Sequence, residues 1–294
     1  MNGARARIAP RGTPGPLGPR ASTFGTRWLV VGLLGLGLAA SRTARADPHP
    51  LPFSYPYSTL PRGLTELEQY VDMTPLHTVV NPQVGSGSTR NRLQGIFVTE
   101  LEYGITDRLE LGLYLQFSND LSGSTGQQPV QFDGVKQRLR YRFADPGAWP
   151  VNLAIYGEVA ELSSELELEA KIILERRFGP WQWIVNLTGE HERYYEGERE
   201  LVFVPSGGVS YEVTPACRIG AEYWGRVEHA FDASGDAPFS SLWHHYVGPT
   251  FLFQTSRVWL AAAPYVRVDH LGRTGEVGDE LGRFWFRTIV GIDL

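Results

Sequence analysis

The chain has 294 residues, 33 of them glycine, a formal charge of −5 and one cysteine, Cys217. A lone cysteine excludes an intrachain disulfide, and the absence of any cysteine just after the N-terminal apolar stretch excludes a lipoprotein anchor. Residues 1–46 hold seven arginines and no acid, so without them 20 Lys and Arg face 32 Asp and Glu, a formal charge of −12, which excludes nucleic-acid partners because phosphate recognition needs a basic surface.

The N-terminus has three parts. Residues 1–27 carry Arg5, Arg7, Arg11, Arg20 and Arg27 among prolines and glycines, then Trp28 to Ala40 is apolar, then Ala44-Arg45-Ala46 follows. A basic start, a short apolar core and an Ala-x-Ala site predict a secretory signal peptide over 1–46, cut after Ala46 with Ala44 and Ala46 as the cleavage-site residues. A membrane anchor is the rival reading. Thirteen residues rising 1.5 Å each span only about 20 Å of a hydrocarbon core about 30 Å thick. Residues 47–63 are proline-rich and are expected to form an extended periplasmic lead-in, or a short segment tucked into whatever lumen follows.

From 64 to 294 the dominant signal is alternation with period two, the mark of strands. Strands are expected at 64–73, 92–103, 109–117, 135–143, 151–161, 166–177, 181–192, 201–213, 217–228, 243–254, 258–270 and 283–294. In 109–117, Leu109, Leu111, Leu113, Leu115 and Phe117 share one face, and Glu110, Tyr114 and Gln116 the other. In the next strand Val135, Gln137, Leu139, Tyr141 and Phe143 oppose Lys136, Arg138, Arg140 and Arg142. Four basic side chains on one face cannot sit in an apolar core, so they need water or acidic partners. Glu165, Glu167, Glu169 and Glu175 on 166–177 and its edge, with Glu100, Glu102 and Glu158 on nearby strands, supply such partners.

Three features favour a transmembrane antiparallel up-and-down β-barrel of about 12 strands over a soluble sandwich. The strands are long enough to cross a bilayer at a tilt. Short connections alternate with long ones such as 74–91, 118–134, 229–242 and 271–282, as periplasmic turns alternate with outer loops. Aromatic residues of the apolar face gather at both strand ends: Tyr103, Tyr141, Phe143, Trp181, Trp183, Tyr211, Phe251 and Phe253 beside short turns, and Phe117, Trp243, Phe284 and Phe286 beside long loops. Two such belts match the two bilayer interfaces. An even strand number puts both termini on the periplasmic side. The strand at 64–73 is the weakest of the set.

The run Tyr55-Pro56-Tyr57-Ser58-Thr59-Leu60-Pro61-Arg62-Gly63, then Glu66-Leu67-Glu68-Gln69-Tyr70, resembles the mature start of an uncharacterised group of Gram-negative outer-membrane barrels. The hairpin Glu102-Tyr103-Gly104-Ile105-Thr106-Asp107-Arg108-Leu109-Glu110-Leu111 is similar to that of transporter-like barrels, including those named for a phenol-degradation MetA pathway. The resemblance covers about residues 53 to 117 and implies an outer-membrane location in a Gram-negative bacterium. It implies no catalytic residues. The terminal Leu294 departs from the commoner phenylalanine.

The charged inner faces are the best functional lead. A basic ladder (Lys136, Arg138, Arg140, Arg142) opposed to acidic ones would set a transverse field across a pore and act on passing solutes. Direct pairing of the same groups would instead fill the lumen and close it. Of the histidines, His77, His191, His229, His244, His245 and His270 map to outer loops or outer strand ends. Parity puts His191, His229, His245 and His270 on the lipid side, no HxH or HExxH spacing occurs, and no metal site is expected. Asp269-His270 and Trp243-His244-His245 lie at one rim, but sequence neighbours on a strand point oppositely, so they make no dyad and no enzyme is expected. Gly85 to Ser88, Ser122 to Gly126 and His191 to Glu200 read as outer loops. The expectation is a passive channel or transporter for small polar or weakly charged solutes. It needs no cofactor, and its other partners would be outer-membrane lipid, lipopolysaccharide and the barrel-assembly machinery. A non-conducting barrel with a structural or surface-interaction role is the alternative.

Overall fold

The structure, a computed structural model, describes residues 48–79, 89–120, 130–231, 243–269 and 281–294. The expected signal peptide with Ala44 and Ala46, the Gly-Ser stretches at 85–88 and 122–126, and His270 lie outside the described residues.

Twelve antiparallel strands close into one barrel: β1 (Thr65–Val79), β2 (Thr89–Gly104), β3 (Leu109–Asp120), β4 (Gln131–Arg142), β5 (Asn152–Leu162), β6 (Glu165–Phe178), β7 (Trp181–Tyr194), β8 (Arg199–Thr214), β9 (Cys217–Phe231), β10 (Trp243–Gln254), β11 (Val258–Arg267) and β12 (Phe284–Asp293). Each strand pairs with its sequence neighbours, and β1 pairs with β12 from Glu66↔Asp293 to Met73↔Phe286 to seal the sheet. Closure leaves no unpaired edge, which a sheet in lipid requires. No helix among the described residues is long and apolar enough to cross a membrane.

Alternation sorts side chains between lipid and lumen. On β3, Leu113 and Leu115 are exposed on the outer wall while Glu110 and Tyr114 are buried inside. On β4, Val135, Leu139 and Tyr141 face out, and Arg138 and Arg140 are buried. The outer wall ends in aromatic belts. Trp181 and Tyr211 meet edge to face at 4.8 Å on the short-turn side, and Trp243 stacks on His245 at 5.6 Å on the loop side. Leu113, near the middle of β3, gives a direct check of the lipid face: Leu113→Arg is expected to destabilise the refolded barrel by about 2–4 kcal/mol in a urea titration, as a cation near the bilayer midplane does.

Several strands outrun the expected limits at the loop side, whereas the eleventh, expected to 270, ends at Arg267 and the twelfth, expected from 283, starts at Phe284. The first strand, expected over 64–73, runs to Val79, and its ladder with β2 continues to Val79↔Thr89. The sequence there is Thr-, Asn- and Arg-rich, so hydrophobic alternation stops where lipid stops, although backbone pairing goes on. β4 begins at Gln131, four residues before the expected start. The reason is a register shift between Gln116 and Phe117 opposite Gly134, where an added Cβ would lie 2.1 Å from the Glu161 carbonyl oxygen. A bulge at a glycine reverses parity and hides the continuation from any period-two reading.

Candidate functional site

The lumen is occupied by the chain's own proline-rich N-terminal segment, which belongs to the same compact unit as the barrel. His49, Leu51, Ser54, Tyr57 and Leu60 are all buried. The segment enters at the short-turn mouth: Gly63 donates its backbone N–H to the Gly104 carbonyl at 2.8 Å, and Leu60 donates to the Glu110 carboxylate at 2.6 Å. It climbs past Tyr57 and Tyr55, turns where Ser54 N–H bonds the Leu51 carbonyl at 3.2 Å, and comes back to His49, beside Glu68 of early β1 and Trp259 of early β11.

A proline-rich segment cannot build its own ladder, so its backbone groups are satisfied by the wall. Tyr55 N–H donates to Asn186 Oδ1 at 2.7 Å, and Asn186 Nδ2 donates back to the Tyr55 carbonyl at 3.1 Å. Tyr57 N–H donates to Glu175 at 3.0 Å, and Phe53 N–H to both oxygens of Glu222 at 3.2 Å. The Pro56 carbonyl accepts from Arg140 at 3.3 Å and the Pro52 carbonyl from Arg287 at 3.5 Å. The alternate aromatic side chains dock into aromatic clusters: Phe53 stacks on Trp224 at 4.4 Å, and Tyr55 packs on Tyr156 at 5.3 Å.

The expected charge ladders all face inward, but they are arranged along neighbouring strands. Register puts Glu102 of β2, Gly112 of β3 and Arg138 of β4 in one row. Gly112 has no side chain, and a Cβ there would lie 2.6 Å from both Arg138 Nε and Glu100 Oε1. The gap lets the Arg138 guanidinium reach across β3, bonding Glu102, Glu100 at 2.6 Å and Glu110 at 2.6 Å. Arg140 bonds Glu110 at 2.8 Å. Lys136 lies 3.3 Å from Glu158 and 3.9 Å from Glu167, and Lys171 lies 2.8 Å from Glu169. Arg142 sits at the short-turn mouth, bonding Asp145 at 3.0 Å. There the exposed Arg108, hydrogen-bonded to the same Asp145, holds that carboxyl below its usual range. Glu175 binds Arg177 besides the segment backbone, and Glu165 lies nearer the loop side.

The basic groups therefore have two kinds of partner. Arg138 and Arg140 also lie over the Tyr55 ring at 5.6 and 5.9 Å, Lys171 lies over it at 4.3 Å, and Arg287 lies over Phe53 at 3.8 Å while bonded to Asp72 at 2.6 Å. Cations fixed by carboxylates grip the aromatic faces of the segment. Sequence reading missed Glu66, Glu68, Asp72, Asn186 and Glu222 as lumen residues. The phase of Glu66, Glu68, Tyr70 and Asp72 on the first strand was a usable signal for four inward residues. Asn186 and Glu222 carried none, because their partners are backbone atoms of a segment more than a hundred residues away. Nearer the loops the lumen is acid-rich: Arg226 bonds Glu190 at 3.0 Å and Glu192 at 2.8 Å and also Glu228, with Glu165 and Glu167 close by.

Asp269 accepts from the His245 backbone N–H at 2.8 Å and from Arg267 at 2.7 Å, and His244 Nδ1 stands 3.7 Å from it. His245 hydrogen-bonds the Tyr223 hydroxyl at 2.9 Å within the outer belt.

Residues 94–278 match the model of a family of unknown function, DUF6662. The chain belongs to this family. Among solved structures, the DUF6662 chain is similar to the COG4313 outer membrane channel from Pseudomonas putida F1, with 14% identity over 81% of this chain and 98% of that one, at a TM-score of 0.56. OmpT, an outer membrane protein of Vibrio cholerae, aligns over 78% of this chain and 96% of its own at 9% identity and a TM-score of 0.37. The TodX monoaromatic hydrocarbon channel, as a deltaS2 mutant, aligns over 83% and 92% at 9% identity and 0.40. No curated protein matches the sequence. The likeness to the COG4313 channel shows the fold, a closed antiparallel β-barrel.

Proposed function

We propose that the protein is a passive outer-membrane channel for small polar or weakly charged solutes, with the segment 48–61 as the element that closes it. The observation that carries this reading is the nature of the closure. The blocking element is no strand of the barrel; it is held by single hydrogen bonds and ring contacts, and the wall behind it is polar and charged. Its withdrawal would leave a lumen lined by Arg138, Arg140, Lys171, Asn186, Glu175 and Glu222, and that lumen would open towards the acidic zone around Glu165, Glu167, Glu190 and Glu192. That zone would favour cations and neutral polar solutes over anions. No catalytic role is assigned to any residue.

The test is single-channel recording in planar bilayers, comparing the refolded mature chain with a variant lacking 48–61. The shortened barrel is expected to give steady ohmic steps with a cation-favouring reversal potential, and the intact one brief or rare openings. A shortened barrel that runs as a folded, heat-modifiable band yet gives no ion steps would sink the reading. The second reading, a non-conducting barrel with a structural or surface role, draws on the pairing of the inner charges along adjacent strands, which would fill the lumen without any segment. It predicts silence from both proteins.

A further inference from the structure

Two pairs of carboxylates stand directly opposite one another on β1 and β2: Glu66↔Glu102 and Glu68↔Glu100. Like charges in register repel, and burial makes the repulsion stronger. Arg138 answers Glu100 and Glu102. Glu66 takes the Trp259 indole N–H, and Glu68 takes the Tyr70 hydroxyl at 2.5 Å; both donors are neutral. Glu66, Glu68 and Glu102 are each 0% exposed and bring one oxygen apiece within 4.8 Å of one another. Among the described residues, Glu68 Oε1 and Glu102 Oε2 have no hydrogen-bond partner. A separate residue, from the N-terminal segment, is directed at the same place: His49, 1% exposed, has an unpartnered Nε2 3.8 Å from Glu68 Oε1. Its ring is held flat against Trp259 at 5.4 Å. Two donors sharing one ion at about 2.1 Å lie roughly 3–4 Å apart, so this spacing suits a bridging cation.

A second inner acidic cluster among the described residues, Glu158, Glu167 and Glu169, differs in kind. Lys136 and Lys171 are already within it, and no imidazole from the segment points there. We infer that Glu66, Glu68, Glu102 and His49 form a site for one divalent transition-metal ion, of the zinc class, that ties the N-terminal segment to the β1–β2 wall. One imidazole with carboxylates selects such an ion over magnesium or calcium, which prefer all-oxygen shells. The site does not depend on the channel reading: a barrel that never conducts would still bind the ion.

The experiment uses the untagged, refolded mature chain, stripped with a chelator and titrated with Zn²⁺ against a chromophoric competitor, with Co²⁺ as a spectroscopic probe. One Zn²⁺ per chain is expected, together with visible Co²⁺ absorption of low-symmetry, four- or five-coordinate form. His49→Ala and Glu68→Gln should each weaken Zn²⁺ by more than about tenfold and abolish the Co²⁺ band. His245→Ala, on the outer belt, should change neither. His49 lies outside the strands, so its variant keeps a barrel whose folding is checked by heat-modifiability. Zn²⁺ binding that is absent, or equally strong in folded His49→Ala, would overturn the inference. The first outcome would mean that protons, in place of a metal, relieve the buried carboxylates.

Discussion

Arg138→Ala is expected to cost the folded barrel about 3–5 kcal/mol, the largest single loss of any inner-face substitution. Arg138 is 1% exposed, and its guanidinium serves Glu100, Glu102, Glu110 and the Tyr114 hydroxyl at once. Alanine would leave Glu100 and Glu102 buried beside Glu66 and Glu68 without the guanidinium that answers them, while Glu110 keeps Arg140 at 2.8 Å, and low dielectric punishes such a removal most. The urea midpoint of the refolded protein in lipid or detergent measures the effect. Arg108→Ala is the control, because Arg108 and its partner Asp145 are 44% and 64% exposed and a solvated pair contributes no more than about 1 kcal/mol. Equal losses from the two variants would mean that the inner network carries no special weight. Arg138→Lys should not rescue, since a single ammonium cannot reproduce the fork that spans the Gly112 gap.

Tyr55→Ala is expected to release the N-terminal segment while leaving the barrel intact. The Tyr55 ring is shared by Arg138, Arg140 and Lys171 and packs on Tyr156 and His49. Losing a buried aromatic ring costs about 3–5 kcal/mol, including contact with desolvated cations. At 1.4 kcal/mol per tenfold, the released population rises by roughly two to four orders of magnitude. Chymotrypsin cleavage at Phe53 and Tyr57 is the readout, with the heat-modifiable barrel band as the folding check. Unchanged protection would mean that the backbone bonds to Asn186, Glu175 and Glu222 hold the segment alone.

The barrel was legible because its cause is local. Leu109 to Phe117 and Val135 to Phe143 show lipid on one face and charge on the other, and this pattern needs no partner to be recognised. The inward direction of Lys136, Arg138, Arg140, Arg142 and the glutamates followed from the same parity. What the ladders do with each other was not local. The Glu102–Gly112–Arg138 row depends on the register of three strands, so the groups meet along the wall when a view by strand alone sets them across a pore. The segment's place was a choice between two sites because prolines exclude a strand without naming a destination. His49 escaped notice for that reason: the other histidines were read from strand positions, and it has none.

The described N-terminal segment enters at the short-turn mouth and bends near Ser54, which brings His49 beside Glu68. Its partners on β7, β9 and β12 lie 131, 169 and 235 residues along the chain. It therefore cannot seat until the last strand has met the first, and lodging it is the final act of assembly. Because residues 48–61 belong to no strand, their release would leave every strand of the barrel paired. The wall and its stopper can thus vary in strength independently, one set by sheet closure and the other by a handful of side chains.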